Sequence, residues 1–150
     1  MIFCCGLILH WSYAASGGAV WSVLVSGVND SPWETIKSFV IVYGAWFFIE
    51  LSYLRPSLLH FTASKIIAMH LFIFIGCGLI LAVRIFTFNE AADLIMVLIS
   101  AAVSMLLSSK LYASRIRTEL FIVPLLISLA LTVGCVLFCT FFPPPLVIFR

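Results

Sequence analysis

Ten polar residues of this chain could do chemistry together, and most gather in two short stretches. The first reads Asn29-Asp30-Ser31-Pro32-Trp33-Glu34 with Lys37 one turn further on. The second runs from Arg84 to Asn89-Glu90 and Asp93. A histidine, His10, stands upstream in an apolar run. Carboxylates, a guanidinium and an imidazole at one level could bind a small polar or cationic solute, or exchange protons, since histidine titrates near neutral pH. Part of the first stretch is also explained by helix initiation. Ser31 fits an N-cap, Pro32 the first helical position and Glu34 the third, where its carboxylate can reach back to the cap. Asn89 fits a second N-cap, with Glu90 and Asp93 in the following turn, where acids suit the helix dipole. The candidate ligand-binding residues beyond capping are His10, Asn29, Asp30, Trp33, Glu34, Arg84 and Asp93.

A second candidate is an inner polar pair. Glu50 lies five residues before Arg55, and His70 five after Lys65. On adjacent antiparallel helices both sit about 7 Å inside the helix ends, which predicts a Glu50–His70 hydrogen bond. His60 is expected in the intervening loop, in solvent.

Other chemistries lack their parts. The five cysteines, Cys4, Cys5, Cys77, Cys135 and Cys139, form no CxxC and have no neighbouring histidine, so no metal site is expected. No glycine-rich phosphate loop, HExxH or GxSxG motif occurs. No catalytic residue and no cofactor are assigned. With a net charge of +2 and no basic run, nucleic acid is not an expected partner.

The elements that must position these groups follow from composition. Of the 150 residues, 64% are hydrophobic and 9% charged, with mean hydropathy +1.25. A soluble domain carries about 25% charged residues. The solvent for most of this chain is therefore lipid, and only helices satisfy their own backbone there without closing a barrel. About 20 residues cross the hydrocarbon core. Cutting the chain at its charges and turn formers predicts one all-α membrane domain over residues 1–150. Its five transmembrane helices lie at about residues 2–16, 33–54, 65–86, 90–111 and 119–142. The first is short but has no Lys or Arg before Lys37, which argues for a membrane helix over a cleaved signal. Lys/Arg bias sets orientation. Arg55, Lys65, Lys110, Arg115 and Arg117 lie on one side, and Lys37, Arg84 and Arg150 on the other. The expected topology is N-terminus in the cytoplasm and C-terminus outside.

Val28-Asn29-Asp30-Ser31-Pro32-Trp33-Glu34 resembles the Val-Asn-Glu-Ser-x-Trp-Glu signature of a family of small bacterial multi-span membrane proteins, a domain of unknown function. The likeness extends to Leu9-His10, Ser16-Gly17, Ile49-Glu50, Ala63-Ser64-Lys65 and Ser104 through Lys110. It returns at Phe138-Cys139-Thr140-Phe141-Phe142-Pro143-Pro144, similar to the family's Phe-Thr-Phe-x-Pro-Pro stretch. The resemblance implies a protein of the bacterial cytoplasmic membrane and no particular activity. It nominates His10, Asn29, Asp30, Ser31, Trp33, Glu34 and Glu50 as motif positions. The family tail of Asp-Pro and Gly-Tyr-Gly is not matched by the residues after Pro145.

Three functions compete. The first is a bundle with an outer polar vestibule that binds or passes a small polar solute or protons. The second is a non-catalytic membrane subunit or scaffold, packed against a membrane protein partner or a second copy. The third is a membrane-embedded enzyme with His10 and Glu34 as an acid–base pair, the weakest because it lacks a nucleophile or metal triad.

Overall fold

The computed structural model describes residues 2–26, 28, 31–54, 57–114 and 121–142. These residues form seven helices and no strand: α1 (Ile2–His10), α2 (Ser12–Ala15), α3 (Val20–Val25), α4 (Pro32–Leu54), α5 (Leu58–Arg84), α6 (Glu90–Ala113) and α7 (Ile122–Phe141). Four of them, α4 to α7, are long and apolar enough to cross a membrane.

The expected first span is broken. Trp11 separates α1 from α2, and nine residues of α1 rise only about 14 Å, half a hydrocarbon core. After α2 the chain reverses. Gly17 and Gly18 adopt φ of 67° and 83°. The Gly18 amide donates to the Tyr13 carbonyl at 3.0 Å and the Gly17 amide to Ala14 at 3.3 Å. That pattern is a Schellman stop, in which glycine takes the left-handed position without Cβ strain. α3 then folds back against α2, α4 and α7.

A second boundary also differs from the sequence expectation. α5 starts at Leu58, seven residues before Lys65, because the lysine does not need to lie in water. It forms an ion pair with Glu50 inside the bundle. His60, expected in a loop, is therefore in the first turn of α5, and its Nε2 lies 3.0 Å from the Tyr112 carbonyl near the end of α6.

Helices in lipid gain little from hiding apolar surface from each other, so close packing holds them. The α5–α6 pair makes the broadest contact, α4 packs on both, α1 on α4, and α7 on α5 and α3. Ile36, Phe39, Phe72, Ile80, Val97 and Ala101 fill the centre. Gly76 permits the closest approach, since a Cβ there would lie 3.1 Å from Ile36 Cδ1 and 3.2 Å from Ser100 Oγ. Ser100 and Ser104 are buried on α6, and each donates its hydroxyl to a carbonyl of its own helix. They therefore pack as small residues without stranding a polar group. A second, smaller cluster holds Tyr43, Ala68 and Met69, with Leu129 of α7 against it.

Candidate functional site

The polar groups collect where α1 and α5 end and α4 and α6 begin. Ser31 caps α4 by accepting from the Glu34 amide at 3.3 Å. That fixes Glu34 at the third helical position, buried, and leaves its carboxylate for other partners. Oε2 accepts from the Val28 amide at 3.0 Å and from the Lys37 ammonium at 2.7 Å. Lys37 is 0% exposed and donates also to the Val23 carbonyl of α3 at 2.9 Å. The i,i+3 spacing puts both charges on one face of α4, and pairing is what makes a buried ammonium tolerable.

Asn89 caps α6 by accepting from the Ala91 amide at 2.9 Å. That cap places Glu90 and Asp93 in the first turn. The short connection after α5 brings Arg84, its last residue, to Asp93. Nε and Nη2 donate to Oδ2 at 2.9 and 2.6 Å. Asp93 is buried.

His10 closes α1 and is 4% exposed. Its Nε2 lies 3.6 Å from Glu90 Oε1, too long for a hydrogen bond but close enough for one charge to act on the other. The Trp11 indole N–H donates to the same oxygen at 3.0 Å. Glu90 is about half exposed, with a side-chain exposure of 46%. Of the three ionisable contacts at this end among the described residues, this one spans the boundary between interior and exterior.

Directly beneath lies an apolar layer. Phe39 is two residues after Lys37, Ile80 is one turn before Arg84, and Val97 is one turn after Asp93; all three are buried.

The sequence expectation of acids, Arg84 and His10 at one end agrees with this geometry, and Trp33 enters at the second position of α4. Asn29 and Asp30 lie outside the described residues. The pairing of His10 differs from the expectation. Glu34 is engaged by Lys37 and Val28, and the acid that His10 meets is Glu90. Trp11, inside the predicted first span, hydrogen-bonds that acid.

The inner pair is corrected as well. Glu50 is matched with Lys65. His70 Nδ1 lies 2.8 Å from the Ile66 carbonyl and Nε2 2.9 Å from Thr132 Oγ1 of α7. The depths matched, but rotation did not. Five residues turn a helix by about 140°, so Lys65 faces α4 where His70 faces α7. The Lys65 ammonium also lies 5.4 Å from the Phe61 ring centroid and 5.9 Å from that of Tyr43, within cation–π range. The signal that could have found Lys65 was the absence of glycine or proline from Leu58 to Ser64, which lets the helix start early.

Among the described residues no group of three His, Cys, Asp or Glu side chains could hold a metal ion. An open groove of about 460 Å³ lies elsewhere, along α4 between Phe48, Ile49, Ser52 and Tyr53. Compared with family models, curated proteins and solved structures, the chain has no match.

Proposed function

We propose that this chain is an integral protein of the bacterial cytoplasmic membrane whose outer polar end binds a small cationic or polar solute, or exchanges protons, at Glu90 and His10. One observation supports this above the rest. Lys37 and Arg84 are each neutralised by a buried acid, whereas Glu90 is half exposed and, among the described residues, meets an imidazole and an indole. A carboxylate so placed is open to a cation, and the histidine behind it can give or take a proton. The bilayer is the first partner of such a chain; the bacterial membrane rests on the family resemblance of its motif.

The membrane arrangement that goes with this reading has five embedded elements, α1 to α3 acting as a shortened first one. α3 turns Ser22 inward, 0% exposed, and Val20, Trp21 and Leu24 outward. That inside-out pattern suits lipid better than water. The N-terminus is then cytoplasmic. Lys37, Arg84 and Lys65 are neutralised within the bundle. The basic residues left to hold an orientation are Arg55, Lys110, Arg115 and Arg117 against Arg150.

The test is a thermal-shift series on the purified protein with guanidinium and tetramethylammonium salts over a pH range. Wild type should gain stability with one of them or show a pH step. His10→Ala and Glu90→Gln should abolish that response and leave expression and insertion unchanged. A response that survives both substitutions rules this site out.

A second reading, a non-catalytic subunit, draws on α7, none of whose residues is buried by the rest of the chain. Co-purification of a stoichiometric partner that is lost on substituting α7 would favour it.

A further inference from the structure

The segment from Ala19 to Val28 is attached to the bundle in an unusual way. The only buried residue of α3 is Ser22, and no residue of α3 belongs to either apolar cluster. Polar bonds hold it. Ser26 Oγ donates to the His10 carbonyl at 2.7 Å and accepts from the Tyr13 amide at 2.9 Å. The Ser16 and Ser22 hydroxyls are 3.1 Å apart. At the far end Lys37 Nζ donates to Val23 O, and Glu34 Oε2 accepts from Val28 N. The same two side chains pair with each other, so one ion pair grips both the last turn of α3 and Val28, three residues past its end. The near end turns on Gly17 and Gly18, both at positive φ, and a Cβ on Gly17 would meet nothing within 4 Å. Lys37 is wholly covered, and α3 lies against its ammonium.

We propose that α3 is a hinged strap that closes the lipid-facing side of the polar end, with Gly17-Gly18 as its hinge and the Glu34–Lys37 pair as its latch. Segments with few apolar contacts open locally at a small fraction of the cost of global unfolding. Swinging α3 away leaves its outward face, Val20, Trp21 and Leu24, in the same lipid as before. Opening breaks that set of polar bonds, chiefly those to Glu34 and Lys37, together with the limited packing of α3 on α4 and α7. The open form uncovers the ammonium and carboxylate sideways toward the bilayer. This goes beyond the binding reading above and rests only on its placing of α3 in lipid, because a strap can open whether or not Glu90 binds a solute.

Hydrogen exchange followed by mass spectrometry on the full chain in lipid nanodiscs tests it. In wild type, residues 19–26 should exchange at least about tenfold faster than residues 66–80 of α5, as a locally opening unit does. Glu34→Gln and Lys37→Met should each speed the strap by about tenfold more, equal to about 1.4 kcal/mol of latch, with α5 and α6 unchanged. Ser26→Ala removes a strap bond without leaving a charge unpaired, and should speed the same segment in a chain that still folds. Equal wild-type rates in strap and α5 would overturn the proposal. So would an unchanged strap in Ser26→Ala, or equal loosening of strap, α5 and α6 in the latch variants.

Discussion

Arg84 places two nitrogens, Nε and Nη2, on a single oxygen of Asp93, while the other carboxylate oxygen, Oδ1, is buried with no hydrogen-bond partner. The pair ties the last residue of α5 to the first turn of α6 and so pins one end of the broadest helix contact in the bundle. Its chemistry makes it costly to break and cheap to replace.

Asp93→Asn or Arg84→Met alone should destabilise the protein by about 3–5 kcal/mol, because each leaves a buried charge without its counterpart. The double variant Arg84→Met/Asp93→Leu should recover most of that loss, since packed apolar side chains replace a buried pair at little cost. Denaturation of the purified variants in mixed micelles gives the three values. A double variant as unstable as the singles would mean that the pair is not what matters at this corner.

Glu50→Gln and Lys65→Met should both lower stability, by about 1–3 kcal/mol, because each strips a partner from a mostly buried ion pair. A Glu50–His70 bond would make His70 variants behave like Glu50 variants. The structure predicts otherwise: His70→Phe should add to Glu50→Gln nearly independently. Coupling between residues 50 and 70 above about 0.5 kcal/mol, beyond what independent sites show, would contradict the observed pairing.

His70 and Thr132 join α5 to α7 by the hydrogen bond that spans them. A double-mutant cycle with His70→Phe and Thr132→Val should give a coupling of about 0.6–1.7 kcal/mol, the range for interhelical bonds in lipid. Cleavage or labelling of α7 should become easier in either single variant. Zero coupling would place α7 on α5 by packing alone.

Gly6 and Gly78 should answer differently to the same change. A Cβ on Gly6 would collide with the edge of the Phe39 ring, whereas one on Gly78 meets nothing within 4 Å. Gly6→Ala should cost about 1–3 kcal/mol by overpacking the α1–α4 contact. Gly78→Ala should be neutral or stabilise by up to about 1 kcal/mol, through helix propensity. If Gly6→Ala is also neutral, α1 does not seat on α4 as described.

The residues themselves show which features were legible in the chain and which were not. The all-helical class and the long apolar helices α4 to α7 follow from composition and from run lengths between charges, because lipid leaves the backbone no other local partner. The starts of α4 and α6 were legible at Ser31 and Asn89, since a cap acts within three residues. Arg84 and Asp93 were legible as neighbours for a similar reason: nine residues with one turn between them leave little choice. Tertiary structure alone decided the rest. A helix rotates about 100° per residue, so depth read from the sequence says at what level a side chain lies and not which neighbour it faces. That is why Glu50 met Lys65 and not His70, and why His10 met Glu90 and not Glu34. The reversal at Gly17-Gly18 belongs to the same class. Two glycines permit a turn, but it takes contacts made across the fold, chiefly the polar bonds from Ser26, Glu34 and Lys37, to bring α3 back onto the bundle.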